Sequence, residues 1–456
     1  MYLSGWHSAT PAVSWKSIPV KAYELKKKPQ KSAEEANNFT MSTSEIQYTT
    51  VRSNPTGIYV HKLLPVAVLY FFFNSAGLPI GVFYTAMLSP FFYLWLYLEG
   101  KRWLTLKFLA CLSPFIIMQV LHGLDSRLYY SRSIILLWTV YITVYAFCWA
   151  LLKCRNVERL FEELMVLNFC AAMAALVILF TPAELLLWNI NLTELTGLGG
   201  WAPRLKLLTS EPSVYGQLMV PLMIFAILRL FKEPSRRNFM YAGLIVIPLV
   251  LSQSFGALSI CTAGLGVAVL FKSRRVLRRR NSILILGLGI FLLIGLVMVP
   301  NPISRRVSQV ASGADSSTQV RTVGAFIEAY KIAESRSIWW GVGPGQAKLY
   351  DVPSVLRALG FTNAVIPNAT ADTLANLGFI GVLVKFILEI YLFFRTRVAS
   401  STFRLAMFVI VFLYQFTGGH LMNIQEYLLW FFAFAPLVPA LDFQKTIPTI
   451  VQPKVD

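Results

Sequence analysis

Long apolar runs separated by short polar loops are the feature that most limits how this chain can fold. Runs of about 14 to 24 residues recur from residue 62 to residue 442, close to the length that a helix needs to cross a bilayer. They lack the alternation of barrel strands, and only helices or closed barrels satisfy backbone groups in lipid. A mean hydropathy of +0.59 agrees with this pattern. The sequence therefore predicts an all-α polytopic membrane protein.

About twelve of the apolar runs are predicted to span the membrane. They cover residues 62–76, 79–98, 104–121, 133–152, 160–181, 213–231, 238–253, 256–271, 282–299, 371–394, 404–418 and 425–442. Every second loop between them is basic, as in KSRRVLRRR at 272–280. Basic loops stay in the cytoplasm, so this pattern places both termini there. It also accounts for the net charge of +19 without a nucleic-acid partner.

The polar segments divide the chain into five parts. These are a disordered cytoplasmic tail without a signal peptide (1–60), nine helices with an outer loop at 182–212 (61–299), a large outer loop (300–370), three helices (371–442) and a cytoplasmic tail (443–456). Within the large loop, residues 320–335 place Val320, Val323, Ile327 and Tyr330 on one face of a helix. We expect that helix to lie at the membrane surface.

The segment SEPS, residues 210–213, stands where the sixth predicted span begins. One interpretation is structural: Ser210 suits an N-cap, Pro212 suits the first turn, and an acidic side chain favours the positive end of a helix. The other interpretation is functional, with Glu211 as a reactive carboxylate on the outer face. The residues alone leave both interpretations open.

Several arginines lie on the same outer face, where the positive-inside rule mildly disfavours them. They include Arg204, Arg305 and Arg321. Arginine binds phosphate oxygens in a bidentate manner, so a pyrophosphate-linked lipid would be a fitting ligand. The alternative is that long translocated loops carry such charges without consequence.

Two further segments of this face contain glycines and polar residues. WWGVGPGQ (339–346) predicts a close turn packed by its tryptophans. Asn368 or Thr370 is suited to cap the tenth span, in which Gly378 and Gly381 favour close helix contact. Lys385 and Glu389 in that span form an i,i+4 pair that we expect to neutralise itself.

The sequence contains no DxD motif, so we predict chemistry without a metal ion or cofactor.

The order of these motifs resembles that of the O-antigen ligase and polymerase (Wzy-type) superfamily of bacterial polysaccharide assembly. The similar region covers roughly residues 200–390 and contains SEPS, SQSFGAL (252–258), AYKIAESRSIWWGVGPG (329–345) and NLGFIGVL (376–383). The resemblance implies a GT-C-like fold in the bacterial inner membrane. It also implies a metal-independent, inverting transfer of a glycan from undecaprenyl pyrophosphate at the periplasmic face.

By this resemblance, the pyrophosphate-binding role falls on Arg321 and less securely on Arg204, and Glu211 matches the acidic residue of polymerases. Glu211 would accept the acceptor's proton or orient Arg204. Ser210, Ser213, Arg305, Asn368 and His420 complete the predicted substrate-binding set. A chain-length regulator and a flippase are the further partners that such an enzyme implies.

The chain departs from the superfamily pattern at three positions. Pro367 stands where ligases have a histidine beside the loop asparagine, Phe255 replaces an arginine, and Ile338 replaces a proline. The missing histidine favours a polymerase, although His420 could substitute for it. The alternatives are a ligase that transfers the glycan to lipid A core or protein, and a flippase or exporter of lipid-linked glycans. Spans mostly bare of polar residues argue against the exporter.

Overall fold

The computed structural model describes residues 58–73, 87–190, 203–276, 308, 320–350, 366–438 and 441. Within these ranges the chain is almost entirely helical, with thirteen α-helices and one pair of two-residue strands. Several predictions lie outside the described residues. They are the span at 282–299, Arg305, most of the N-terminal tail and the C-terminal tail.

The helices are short to medium in length, and polar residues at their starts explain several of their boundaries. They are α1 (Val60–Phe72), α2 (Ser89–Leu98), α3 (Arg102–Leu121), α4 (Arg127–Leu152), α5 (Val157–Ile178), α6 (Glu184–Leu187), α7 (Pro212–Lys232), α8 (Arg236–Ser252), α9 (Phe255–Val276), α10 (Ala325–Glu334), α11 (Ala369–Arg395), α12 (Thr402–Tyr414) and α13 (Ile424–Phe434). A serine or asparagine side chain caps α4, α5, α8, α11, α12 and α13.

Four helices, α4, α5, α7 and α11, are long and apolar enough to cross a membrane by length and composition alone; α11 has this length only when the segments on both sides of Gly378 are counted together. Shorter apolar helices coincide with predicted spans at 62–76, 104–121, 256–271 and 404–418. The structure therefore agrees with an all-α membrane protein, while the number of twelve spans stays a prediction.

Helix α7 lies at the centre of the molecule. It contacts α1, α5, α8, α9, α12 and α13, and most of its side chains are buried. A helix that is apolar on all sides needs neighbours on all sides, which explains this position. Its two ends are therefore the places where its polar residues, Glu211 at one end and Lys232 at the other, reach the surface.

Basic loops that are separated in sequence meet at one end of the bundle. Lys153, after α4, pairs with Glu99, after α2. Glu162 on α5 pairs with Arg229 at the end of α7 and with Arg237 at the start of α8. This grouping is the one that alternating basic loops predict. The start of α7 and the turn between α8 and α9 lie at the opposite ends of their helices.

Helix α11 is broken at Gly378, which has φ 67° and ψ −170°. Thr370 N donates to the Gln415 carbonyl at 3.0 Å, and Gln415 Nε2 donates to Glu389 Oε2 at 3.1 Å. A straight helix would separate residues 370 and 389 by roughly 28 Å, too far for both to contact one glutamine. The two arms of α11, 369–377 and 379–395, therefore fold back toward each other. The predicted role of Gly378 in helix–helix contact was wrong.

The glycine-rich segment 338–343 fills the break in α11. Val342 N and Gly343 N donate to the carbonyls of Ala375 and Asn376 at 2.9 and 3.0 Å. In return, Phe379 N and Ile380 N donate to the carbonyls of Ile338 and Trp339 at 3.0 and 3.1 Å. A broken helix leaves such groups unpaired, so this exchange is what makes the break tolerable in an apolar setting.

The side chain of Gln119 on α3 forms hydrogen bonds to this junction. Its Nε2 donates to the carbonyls of Trp340 and Asn376 at 2.9 and 2.8 Å, and its Oε1 accepts from the Tyr130 hydroxyl at 2.9 Å. The side chain is only 2% exposed. One glutamine thus joins α3, α4, the glycine-rich segment and α11.

We expect Gln119→Leu to lower the free energy of unfolding by about 2 kcal/mol, because it leaves buried polar groups without partners. Thermal unfolding of the purified protein measures this loss. Ser113→Ala on the same helix is the control, since the exposed Ser113 hydroxyl donates to the Ala110 carbonyl of its own helix and has no other bond among the described residues. Equal melting temperatures for the two variants would contradict this role of Gln119.

Candidate functional site

The SEPS segment forms the start of α7, one residue later than its sequence suggested. Glu211, not Ser210, is the N-cap, with extended backbone (φ −144°, ψ 153°), and Pro212 is the first helical residue. The Glu211 side chain does not cap the helix, and its Oε2 accepts from Ser213 Oγ at 2.9 Å. Ser210 and Glu211 are exposed. The carboxylate of Glu211 is therefore presented outward at the positive end of the central helix.

A small strand pair positions Arg204. Trp188–Asn189 pairs antiparallel with Arg204–Leu205, an element that the all-α prediction lacked. The Arg204 guanidinium donates to the carbonyls of Ser252 and Gln253, each at 3.3 Å. These carbonyls end α8, where a cation is favoured. Arg204 thus has a structural role in closing the turn between α8 and α9.

That turn packs directly on the first turns of α7. A Cβ added at Gly216 would lie 2.7 Å from the Ser254 side chain, so only glycine permits this approach. Gln253 has φ 49°, which turns the chain sharply between α8 and α9. The SEPS and SQSFGAL motifs, about 40 residues apart in sequence, are therefore neighbours in space.

Arg321 lies in a π-helical turn, Val320–Gly324, that leads into α10. The amide of Asn368 donates to the Arg321 carbonyl at 2.8 Å and to the Phe416 carbonyl at 3.2 Å. Its Oδ1 accepts from Ala371 N at 2.7 Å, so Asn368 is also the N-cap of α11, one of the two predicted caps. One buried asparagine thus holds the Arg321 turn against the ends of α11 and α12.

The helix that follows agrees with the predicted amphipathic stretch. Val323, Ile327 and Tyr330 are 67%, 52% and 41% exposed, while Ala325, Ala329 and Ile332 face the protein. An apolar face left open in this way suits contact with lipid at a membrane surface.

Tyr414, the last residue of α12, links the electrostatic surroundings of Glu211 and Arg321. Both lie within electrostatic range of the Tyr414 hydroxyl, as does Glu426 at the start of α13. Tyr414 is 9% exposed, and Arg321 is half-buried. We call Glu211, Arg321, Asn368, Tyr414 and Glu426 the Tyr414 cluster. Three predicted site residues from distant parts of the chain, Glu211, Arg321 and Asn368, are thus associated with the end of α12, Asn368 by hydrogen bonds and the other two by electrostatic range.

The Arg321 guanidinium differs from the Arg336 guanidinium in its hydrogen bonding. Among the residues that the structure describes, none accepts a hydrogen bond from it. Arg336, another arginine of the same loop, differs: it pairs with Asp125, and contacts with Tyr350 and Asp125 raise the pKa of its guanidinium. Arg336 therefore serves the structure, whereas Arg321 has no such partner in the described part of the chain and is a candidate for binding an anion.

His420 lies beside a second carboxylate that sequence reasoning missed. Asp372 Oδ2 accepts from Leu421 N at 2.8 Å, and its Oδ1 accepts from Asn376 Nδ2 at 2.6 Å. His420 and Lys348 both lie within electrostatic range of Asp372. Asp372 is four residues after Asn368 in sequence, and this helical spacing was the available signal. No signal pointed to Tyr414.

In the described part of the chain, no three His, Cys, Asp or Glu side chains are grouped as metal ligands would be. The functional groups in and beside the Tyr414 cluster are a guanidinium, carboxylates, hydroxyls and an amide. This set can bind an anionic group and accept a proton from a hydroxyl.

We expect Asn368→Asp to lower the free energy of unfolding by about 2 kcal/mol, because aspartate keeps the N-cap but cannot donate to the two buried carbonyls. Asn423→Asp is a matched control, since Asn423 caps α13 by accepting from Gln425 N at 3.0 Å. Thermal unfolding compares the two variants. Similar small losses in both would mean that the Asn368 bridge contributes little.

Comparison with protein-family models and with curated protein sequences finds no match for this chain.

Proposed function

We propose that this protein is a polysaccharide polymerase of the bacterial inner membrane, with a GT-C-like fold, that joins undecaprenyl-pyrophosphate-linked repeat units of an O-antigen or exopolysaccharide. The observation that carries the proposal is that Glu211 and Arg321 both lie within electrostatic range of the Tyr414 hydroxyl. A guanidinium without an acceptor among the described residues suits a pyrophosphate, and an exposed carboxylate near the same tyrosine suits the activation of a sugar hydroxyl. The order of SEPS, SQSFGAL and the glycine-rich motifs supports the same class.

In the proposed reaction, the growing chain on one carrier lipid is the donor and a repeat unit on a second carrier is the acceptor. The acceptor hydroxyl attacks the anomeric carbon, and a new C–O bond forms as the bond to the pyrophosphate breaks. The electron pair leaves with the lipid pyrophosphate, whose growing charge Arg321 offsets. Glu211 takes the acceptor proton and later releases it to water. A single displacement inverts the anomeric centre.

The other predicted residues have supporting roles in this scheme. Ser213 orients the Glu211 carboxylate through the hydrogen bond of 2.9 Å between them. Asn368 fixes the Arg321 turn. Arg204 holds the neighbouring turn through two carbonyls, so its effect on the pyrophosphate would be weaker than that of Arg321.

Two alternative functions each have an observation in their favour. The His420–Asp372 neighbourhood offers a second base and favours a ligase that transfers the glycan to lipid A core or protein. The buried carboxyl groups Glu389 and Glu426, each 5% exposed, favour a lipid-linked glycan flippase or exporter. The Tyr414 cluster remains the better-supported site because it combines a cation that has no acceptor among the described residues with an exposed carboxylate.

One reconstitution separates the three functions. Purified protein in liposomes receives undecaprenyl-pyrophosphate-linked repeat units from the native host, alone or with lipid A core, and the glycans are resolved on a gel. A ladder from repeat units alone supports the polymerase. A product that forms only with lipid A core identifies a ligase. Movement of the lipid-linked glycan across the bilayer without any new glycosidic bond identifies an exporter.

We expect Glu211→Gln to reduce the rate of polymerisation about 100-fold without loss of stability, because an amide cannot accept the acceptor proton. The variant preserves the hydrogen bond with Ser213 and the exposed position. Glu233→Gln, an exposed change at the other end of α7, should leave the rate unchanged. A fully active Glu211→Gln protein would exclude Glu211 as the base.

A further inference from the structure

Charged side chains are buried where α11, α12 and α13 meet. Glu389 on α11 and Glu426 on α13 are each 5% exposed, and the Lys385 side chain is 20% exposed. Ionised groups in an apolar setting are costly unless they are paired and hydrogen-bonded. Each ionised group at this junction therefore requires a partner.

Lys385 does not pair with Glu389 in the way its spacing suggested. Its Nζ lies 3.9 Å from Glu426 Oε1, which also accepts from Trp430 Nε1 at 3.3 Å. Lys385 and Glu426 both remain within electrostatic range of Glu389, and Tyr414 and Tyr427 face Glu426.

The Arg321 guanidinium and the Glu211 carboxylate lie within electrostatic range of Tyr414 and offset each other in charge. The described charged groups within electrostatic range of Glu389 are one ammonium, Lys385, and one carboxyl group, Glu426, which Lys385 already pairs with. An ionised Glu389 would therefore add a negative charge without an ion-pair partner among the described residues.

The contact between Glu389 and Gln415 leaves one oxygen of each group without a hydrogen-bond partner among the described residues. Gln415 Nε2 donates to Glu389 Oε2 at 3.1 Å. The other atoms of the two groups, Glu389 Oε1 and Gln415 Oε1, are buried and have no hydrogen-bond partner among the described residues. Both are acceptors, so they cannot bond to each other as they stand. A single proton on the carboxyl group converts one of them into a donor.

We propose that Glu389 is a proton-binding site, in which the carboxyl group holds a proton on Oε1 and donates it to Gln415 Oε1. The two side chains then form a reciprocal acid–amide pair, with one hydrogen bond in each direction. This pair satisfies both unpartnered oxygens and removes the excess negative charge. Lys385 and Glu426 remain as the only oppositely charged pair of the junction among the described residues.

The site does not depend on the proposed glycan transfer, although it adjoins the Tyr414 cluster. Gln415 follows Tyr414 directly, and its carbonyl accepts from Thr370 N at 3.0 Å. Gain or loss of the proton would therefore change the fit between the two arms of α11 and the end of α12. The ligand is a proton, and a sodium ion held between the same two oxygens is the chemical alternative to be tested.

Infrared spectroscopy of the full-length protein in lipid nanodiscs tests the proposal. At neutral pH in a choline buffer without sodium, the wild-type protein should show the C=O band of a protonated carboxyl group, and the band should shift in D₂O. It should be lost in Glu389→Gln and retained in Glu334→Gln, an exposed carboxyl group on α10. In Gln415→Leu the band should persist at a shifted frequency, because the carbonyl loses its donor.

Three results would overturn the proposal. The first is the absence of a protonated-carboxyl band from the wild-type protein at neutral pH. The second is a band that Glu389→Gln and Gln415→Leu both leave unchanged. The third is a band that disappears when sodium replaces choline, which would show that the oxygens hold a sodium ion. If Glu389→Gln does not fold, the shift in Gln415→Leu decides the assignment.

Discussion

Replacement of Arg321 with alanine is expected to lower the rate of glycan polymerisation about 1,000-fold, because the variant loses the charge that offsets the leaving pyrophosphate. The guanidinium has no acceptor among the described residues, so its removal should not unfold the protein. The effect should appear mainly in kcat, since charge on the leaving group grows in the transition state. Rates of ladder formation at several concentrations of lipid-linked repeat unit separate kcat from KM.

Two further variants test whether the effect is specific to the Arg321 guanidinium. Lys331→Ala removes an exposed cation from α10 and should leave the rate unchanged. Arg321→Lys keeps a positive charge without the planar fork and should retain part of the activity. An Arg321→Ala protein that polymerises at the wild-type rate would remove Arg321 from the mechanism.

Replacement of Gly378 with alanine is expected to destabilise the protein by at least about 3 kcal/mol, enough to leave much of it unfolded. The backbone conformation at this position is one that side chains rarely adopt. An added Cβ would lie 2.3 Å from the backbone carbon and oxygen of Trp339. The added methyl group therefore forces a change in the backbone at the break in α11 or in its contact with the glycine-rich segment.

Gly243→Ala is the matched control for this prediction. Gly243 lies within α8, and a Cβ added there meets nothing within 4 Å. Because alanine favours helix over glycine, this variant should be as stable as the wild-type protein or more stable. Thermal unfolding of both proteins in the same detergent makes the comparison. Equal melting temperatures would mean that the break in α11 is not a fixed feature of the fold.

The helices that sequence reasoning predicted best were those with a strong local signal. The apolar runs gave the long helices α4, α5 and α7 at nearly the observed positions. The exposed apolar face of α10 and the turn before it followed from the spacing of Val323, Ile327 and Tyr330. Asn368 was one of two predicted caps because a short polar side chain before an apolar run is itself a local signal.

The features that escaped prediction depend on contacts between distant segments. The run at 371–394 was predicted as one span because nothing local shows that 338–343 completes a break at Gly378. The strand pair that holds Arg204 joins residues that are well separated in sequence, Asn189 and Arg204, so no short turn motif marks it. Tyr414 ends an apolar helix and gave no signal, although two predicted site residues lie near its hydroxyl.

The most direct test of the Tyr414 cluster as a lipid-pyrophosphate site is a binding measurement. Native mass spectrometry, with EDTA present, compares undecaprenyl pyrophosphate bound to the wild-type protein, to Arg321→Ala and to Lys331→Ala. We predict saturable binding without metal that weakens at least about tenfold in Arg321→Ala. Binding to Lys331→Ala should equal that of the wild type. Equal binding to all three proteins, or none to any of them, would contradict the assignment of this cluster.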